Sequence, residues 1–328
     1  MTPMTEKIGP MLACAVGDAY GAGFEFAPPA RVRKHNDLSG YIQHQKWKEM
    51  KPGHYTDDTQ MAMGIAEHML VNDVWSIPSL AARFVTGFHR DPRAGYAGPF
   101  YDFLKQTVDG GAFINNIRPH SDKSGGAMRA FPLGFYPDTH LVRDLAMFQA
   151  SLTHATHNGM MAAAVAALMF HHRYHHLGDK NSLSEFLSDW TGLDFAKPWV
   201  GAVSSSGMDC VQAAVTAFLG NDSMGDVLKA CVAFTGDVDT VAAIAMPAAA
   251  VCEDTAGWLP LVLIDGLENE LLGRKFLQWM DEKLLDKFPS RSVVEEAKPV
   301  VKETVLTTSE LATETPLLDF LFDDEDGD

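Results

Sequence analysis

The sequence predicts an all-α fold, a single compact multi-helix domain built around a dimetal centre, on three observations. Apolar residues recur at helical spacing through most of the chain, and alternating strand patterns are scarce. Two acidic clusters, Thr56-Asp57-Asp58-Thr59 and Gly236-Asp237-Val238-Asp239-Thr240, each stand just ahead of such a helical segment. Carboxylates crowded this closely raise one another's pKa unless a cation neutralises them. Oxygen-only donor sets of this kind suit Mg²⁺ or Mn²⁺, with Ca²⁺ as an alternative.

The elements follow in order. Ile8, Met11, Leu12 and Ala15 form an apolar stripe that predicts a first helix over 8–20, ending in the glycine-rich stretch Gly17-Asp18-Ala19-Tyr20-Gly21-Ala22-Gly23-Phe24-Glu25. A second helix is expected over 59–70, starting beside the first acidic cluster. Further segments at 78–89, 142–150, 158–174, 182–190, 207–219, 224–234, 239–252 and 260–288 carry the same pattern, several behind a Ser, Asp or Asn that suits an N-cap. Pro247 inside 239–252 predicts a kink. Gly- and Pro-rich stretches at 21–29, 91–99, 109–134 and 196–207 are expected loops, where function concentrates. His171, His172, His175 and His176 fall at the end of 158–174 and are expected on the surface, favoured by the helix dipole.

Composition sets the outer limits. The 328 residues are 46% hydrophobic, enough for one large core over residues 1–288. Net charge is −17, with no basic stripe, which argues against nucleic acid as a partner. Residues 289–328 differ in character: from Arg291 onward 11 acids face three basic residues, and an acidic, disordered tail is expected. Within it Leu317-Leu318-Asp319-Phe320-Leu321-Phe322 is a candidate anchor for a partner protein. Cys14, Cys210, Cys231 and Cys252 lie among apolar neighbours without zinc spacing and are expected as reduced core thiols. With no charged-then-apolar leader and no apolar run of about 18 residues, a cytoplasmic, non-membrane protein is expected.

Two more motifs carry chemistry. Ser124-Gly125-Gly126-Ala127-Met128-Arg129 is flexible backbone suited to holding phosphate with amide N–H groups, yet it lacks the Lys-Ser/Thr of a P-loop. Arg129 would either hold this loop or contact a ligand. Thr153-His154-Ala155-Thr156-His157 offers two histidines at the mouth of an Ala-rich helix.

Taken together, the GDxxGxxxE start, Tyr55-Thr56-Asp57-Asp58-Thr59, the GGAMR loop and GDxDT followed by Val241-Ala242-Ala243-Ile244 resemble the ADP-ribosylglycohydrolase family, in order, over about residues 1–275. The resemblance implies an all-α domain with two divalent cations, Mg²⁺ or Mn²⁺, held by Thr56, Asp57, Asp58, Asp237, Asp239 and Thr240. It implies that Gly125, Gly126 and Met128 meet the pyrophosphate of ADP-ribose and that Gly95 and Tyr96 line the groove. His154 or His157 matches a family Thr-His, and the spacing permits either. Glu25 matches a flap glutamate, so Glu25 or Asp58 would serve as the catalytic acid–base. Thr235 departs from the glycine that usually precedes GDxDT, and Met246 to Cys252 replaces a glycine-rich stretch.

The implied activity is metal-dependent cleavage of the glycosidic bond between ADP-ribose and a modified protein side chain, releasing ADP-ribose. Lys51-Pro52-Gly53 and Glu25-Phe26 lean toward arginine as the linkage. Alternatives are hydrolysis of ADP-ribosyl-serine, O-acetyl-ADP-ribose or ADP-ribosylated nucleic acid, or a non-catalytic ADP-ribose-binding module.

Overall fold

A computed structural model describes residues 8–71, 74–255 and 257–291. These residues form fourteen α-helices: α1 (Pro10–Ala22), α2 (Pro29–His35), α3 (Asp57–Leu70), α4 (Ile77–Arg90), α5 (Gly98–Gln106), α6 (Gly110–Asn116), α7 (Thr139–His154), α8 (His157–Tyr174), α9 (Leu183–Thr191), α10 (Gly207–Leu219), α11 (Met224–Ala233), α12 (Val238–Val251), α13 (Leu261–Gly266) and α14 (Arg274–Lys287). Among the described residues no strand forms; there are only isolated bridges such as Val203 with Gly236. The predicted helical fold class holds.

Local chemistry explains most starts. Pro10, Pro29, Pro78 and Pro99 occupy first-turn positions where an amide hydrogen would be unpaired anyway. Ser76, Asp109, Asp138, Thr156 and Ser223 each accept a first-turn N–H. Helix α1 begins differently. Its cap residue is Gly9, and the free amides of Met11 and Leu12 donate to the Asp281 carboxylate, at 2.7 and 3.1 Å, from distant α14. Burial pushes the Asp281 carboxyl up to about 7.

The core centres on α1 against α12. Every residue of α1 is buried. Gly17 and Gly21 lie inside this helix and not in the turn expected there. A Cβ on Gly17 would sit 2.7 Å from the Ala242 carbonyl oxygen, and one on Gly21 only 2.4 Å from the Asp239 Cα. These glycines therefore bring the first helix onto the start of α12, where the second acidic cluster sits. Helix α12 runs through Pro247 from Val238 to Val251.

Two other expectations need correction. The segment 260–288 is not one helix, because the chain turns inward between α13 and α14 to bury Glu268. His171, His172 and His175 are not on the surface; all three are buried, and their rings meet Thr139, Ser182 and backbone carbonyls. Helix α6 falls inside 109–134, read from sequence as a loop, and α2 and α5 lie almost wholly in stretches to which the sequence assigned no helix. The proposed tail from residue 292 onward, including Leu317–Phe322, lies outside the described residues. All four cysteines are buried and unpaired by disulfides. Among the described residues no helix is long and apolar enough to cross a membrane.

Candidate active site

The two acidic clusters meet. A cleft of about 500 Å³ is lined by Glu25, Asp57, Asp58, Asp237, Asp239 and Thr240 on one wall. Gly95, Tyr96, Gly125, Met128 and His154 line it as well. Carboxylate oxygens of Glu25, Asp237 and Asp239 lie within 4.8 Å of one another, so Glu25 joins the group able to hold a cation. Asp57, Asp58, Asp237 and Asp239 are all buried. Burial raises each of these carboxyl groups, and neighbouring acids add to the effect, bringing Asp237 to about 6.

Local structure delivers each acid. Thr56 is the N-cap of α3, which places Asp57 and Asp58 in the first turn, where the helix dipole favours negative charge. Asp239 occupies the same place in α12, with its Oδ1 accepting the Thr240 N–H at 3.0 Å. Gly236, at φ +93°, lies so close to Val203 that a Cβ would be 1.8 Å from its carbonyl oxygen. Thr235 adopts φ +66°, the left-handed conformation that explains why a glycine suits this position. Ser124 Oγ donates to Asp237 Oδ2 at 3.0 Å, tying the glycine loop to the second acidic cluster.

Asp18 is the residue that sequence reasoning did not single out. Its fully buried carboxylate accepts the backbone N–H and the hydroxyl of both Thr56 and Thr59, at 2.6 to 3.1 Å. The Thr56 hydroxyl proton is thus spent on Asp18, which leaves its oxygen lone pairs for other partners. Only the GDxxG spacing pointed to it.

Asp58 Oδ1 is buried without a hydrogen-bond partner. An orphaned carboxylate oxygen beside three more desolvated acids is expensive unless positive charge completes it. The donor set, all oxygen, fits hard divalent cations.

The second wall is set by Arg129, which is fully buried. Its guanidinium donates to Gln149 Oε1 at 2.6 Å and to Thr153 Oγ1 at 2.8 Å, while Gln149 Nε2 donates to the Gly126 carbonyl at 2.8 Å. Arg129 therefore holds the GGAMR loop through Gln149 as well as facing the cleft. Gly126 is buried behind the loop and is not among the residues lining the cleft. His154 lines it, whereas His157, exposed at the start of α8, does not. Burial and the Arg129 charge lower His154 to about 3, so it is neutral at physiological pH.

Gly95 takes φ +107°, and a Cβ there would lie 2.1 Å from Asp57 Oδ1, so only glycine lets this loop reach the acid. Tyr96 is buried and donates its hydroxyl to Gln60 Oε1 at 2.8 Å. Glu25 stands at the mouth, its side chain 21% exposed, with His44 Nε2 2.7 Å from its Oε2.

The family model described as ADP-ribosylglycohydrolase matches residues 6–293. The ADP-ribosyl-(dinitrogen reductase) glycohydrolase of Rhodospirillum rubrum is 24% identical over 264 residues, 77% of this chain and 89% of its own length. The ADP-ribosylhydrolase ARH3 of Xenopus tropicalis is 28% identical over 180 residues, and that of Homo sapiens 26% over 183. Those two matches cover 50% of this chain, so the chain spans about half the length of the ARH3 relatives it matches, 49% and 48%. A solved structure described as an ADP-ribosylglycohydrolase-related protein complex superposes with a TM-score of 0.67 at 23% identity, covering 85% of this chain and 96% of that one. At that identity the likeness speaks for the fold.

Proposed function

Because the chain belongs to the ADP-ribosylglycohydrolase family, we propose that it hydrolyses the glycosidic bond between ADP-ribose and a modified protein side chain, with arginine the favoured linkage. The observation that carries this reading is the convergence of Asp57 and Asp58 with Asp237 and Asp239 in one cleft, beside the glycine loop at Ser124–Arg129. The volume, about 500 Å³, falls in the usual range for small-molecule sites.

Thr56, Asp57, Asp58, Asp237, Asp239 and Thr240 would hold two divalent cations, Mg²⁺ or Mn²⁺. Bound there, such ions supply neutralisation of the acids and orientation of a hydroxyl-rich ligand. The chain's own groups do the rest. The Gly125 backbone faces the pyrophosphate, Met128 packs beside the ligand as an apolar wall, and neutral His154 adds a ring nitrogen. Gly95 and Tyr96 close the groove opposite. In the hydrolysis a water oxygen bonds to the ribose anomeric carbon as the bond to the leaving nitrogen breaks. Glu25, at the solvent-facing mouth, takes the proton from that water and the leaving group receives one in turn. Asp58 lies deeper, with its Oδ2 beside the Thr56 hydroxyl, and suits cation binding better than proton exchange. Acid–base help of this type is worth about 10²–10⁴-fold.

The test is incubation with Mg²⁺ or Mn²⁺ and arginine-, serine- or acetyl-linked ADP-ribose, scoring free ADP-ribose. Release from the arginine conjugate, lost in Asp239→Ala together with the rise in melting temperature that Mn²⁺ gives the parent, is expected. Binding without release on every conjugate would turn the reading toward a non-catalytic module.

A further inference from the structure

We propose that His44 is a positioning residue, a neutral imidazole whose Nε2–H holds the Glu25 carboxylate over the acidic cluster. The inference rests on the hydrolase reading of this cleft and adds to it how the mouth glutamate is kept in place.

The protonation pattern follows from donors that admit no alternative. His44 Nδ1 lies 3.0 Å from the backbone nitrogens of both Lys46 and Trp47, and each of these N–H groups can only donate. Nδ1 is therefore an acceptor and carries no hydrogen. A neutral imidazole then has its proton on Nε2, which sits 2.7 Å from Glu25 Oε2. One carboxylate oxygen is taken by the ring, so the carboxylate's rotation is fixed and it remains within reach of Asp237 and Asp239. His44 is itself 3% exposed, so water does not compete for either nitrogen.

The surroundings are built to hold this pair. Residues 43–50 wind round the ring: Gln43 Nε2 donates to the Trp47 carbonyl at 3.2 Å and to that of Met50 at 2.7 Å. Arg31 bridges this loop to the stretch before Glu25, donating from Nη2 to the Gln43 carbonyl at 2.6 Å and from Nε to the Gly23 carbonyl at 3.2 Å. On the other side of Glu25, the Phe26 N–H donates to the Gly236 carbonyl at 2.8 Å, with Phe26 at φ +47°. A left-handed phenylalanine is a costly conformation, maintained only where its surroundings fix it. The strap bearing Glu25 is thus fastened to the second acidic cluster by backbone and to the 43–50 loop by His44.

The two nitrogens have separable jobs, and that supplies the experiment. Asparagine offers an acceptor near the position of Nδ1 and asparagine's short side chain leaves nothing at Nε2; glutamine offers a donor near Nε2 and no acceptor for the loop. His44→Asn is expected to keep the fold while kcat on an ADP-ribosyl-arginine conjugate falls about 10²-fold, the usual effect of losing alignment, with KM little changed. His44→Gln is expected to melt at lower temperature yet retain kcat within a few-fold of the parent. On the metal-free parent, ¹⁵N-histidine NMR is expected to show His44 as a single Nε2–H tautomer. A His44→Asn enzyme with parental kcat, or an Nδ1–H tautomer for His44, overturns the proposal. If the parent releases no ADP-ribose, the hydrolase reading fails, and the tautomer measurement still decides how Glu25 is held.

Discussion

At Thr235 a single torsion angle separates what the residue prefers from what the site requires. A β-branched residue at φ +66° is strained by about 1–2 kcal/mol. Its backbone is nevertheless needed there, because the Thr235 carbonyl accepts the Val203 N–H at 2.9 Å next to Gly236 and Asp237. Thr235→Gly removes the strain and keeps that bond, at an entropic cost of roughly 0.5–1 kcal/mol in the unfolded chain. The expected outcome is a protein about 0.5 kcal/mol more stable, read from the urea midpoint, with turnover unchanged; a lower midpoint would show that the angle is not strained. The acids, glycines and threonines of this site were legible in the sequence because their spacing is local. His44 was not legible as a site residue and Asp18 only through the GDxxG spacing, since the role of each depends on partners distant in sequence. The same holds for the choice between His154 and His157, which spacing leaves open and burial distinguishes.

Among the elements, loops are fixed by a buried polar knot outside the cleft. Glu268, in the turn between α13 and α14, accepts the Tyr55 N–H at 3.1 Å, pairs with the Arg93 guanidinium and lies 3.4 Å from His54 Nδ1. Arg93 also lies over the Tyr55 ring, 3.8 Å from its centroid, and binds Asp91. One knot therefore sets both the approach to Thr56–Asp58 and the approach to Gly95–Tyr96. Removing one partner of a buried charge pair costs about 3–5 kcal/mol. Glu268→Ala is expected to lose stability on that scale in denaturant titration and to bind Mn²⁺ more weakly by calorimetry; parental Mn²⁺ affinity would disconnect the knot from the site. Helical periodicity over 260–288 concealed this turn, because an apolar stripe does not reveal that one acid inside it must point inward to an arginine far away in sequence. Helices α2, α5 and α6 escaped for the complementary reason, being short and opening on the Gly or Pro that marks loops.

For the molecule as a whole, the buried histidines couple stability to acidity. Burial lowers His171, His172 and His175 to about 4, against about 6.5 when unfolded. In that window the unfolded chain binds more protons than the folded one, so stability these rings provide is complete above about pH 6.5 and is lost as pH falls toward 4. His172→Phe, beside Phe186, is expected to flatten this part of the stability–pH curve by about one proton's slope; an unaltered slope would mean that the ring is charged in the fold. Long-range order of this sort also bears on how the protein is made. Helix α1, which has no exposed residue, packs on α12, roughly 215 residues further along. At 5–20 residues per second, a nascent α1 leaves the ribosome about 10–40 s before its partner is synthesised. During translation this mostly apolar segment has nowhere native to go, and a chaperone that shelters it, or a slow stretch of codons that does not, would decide how much of the chain ever reaches a state in which the two helices can meet.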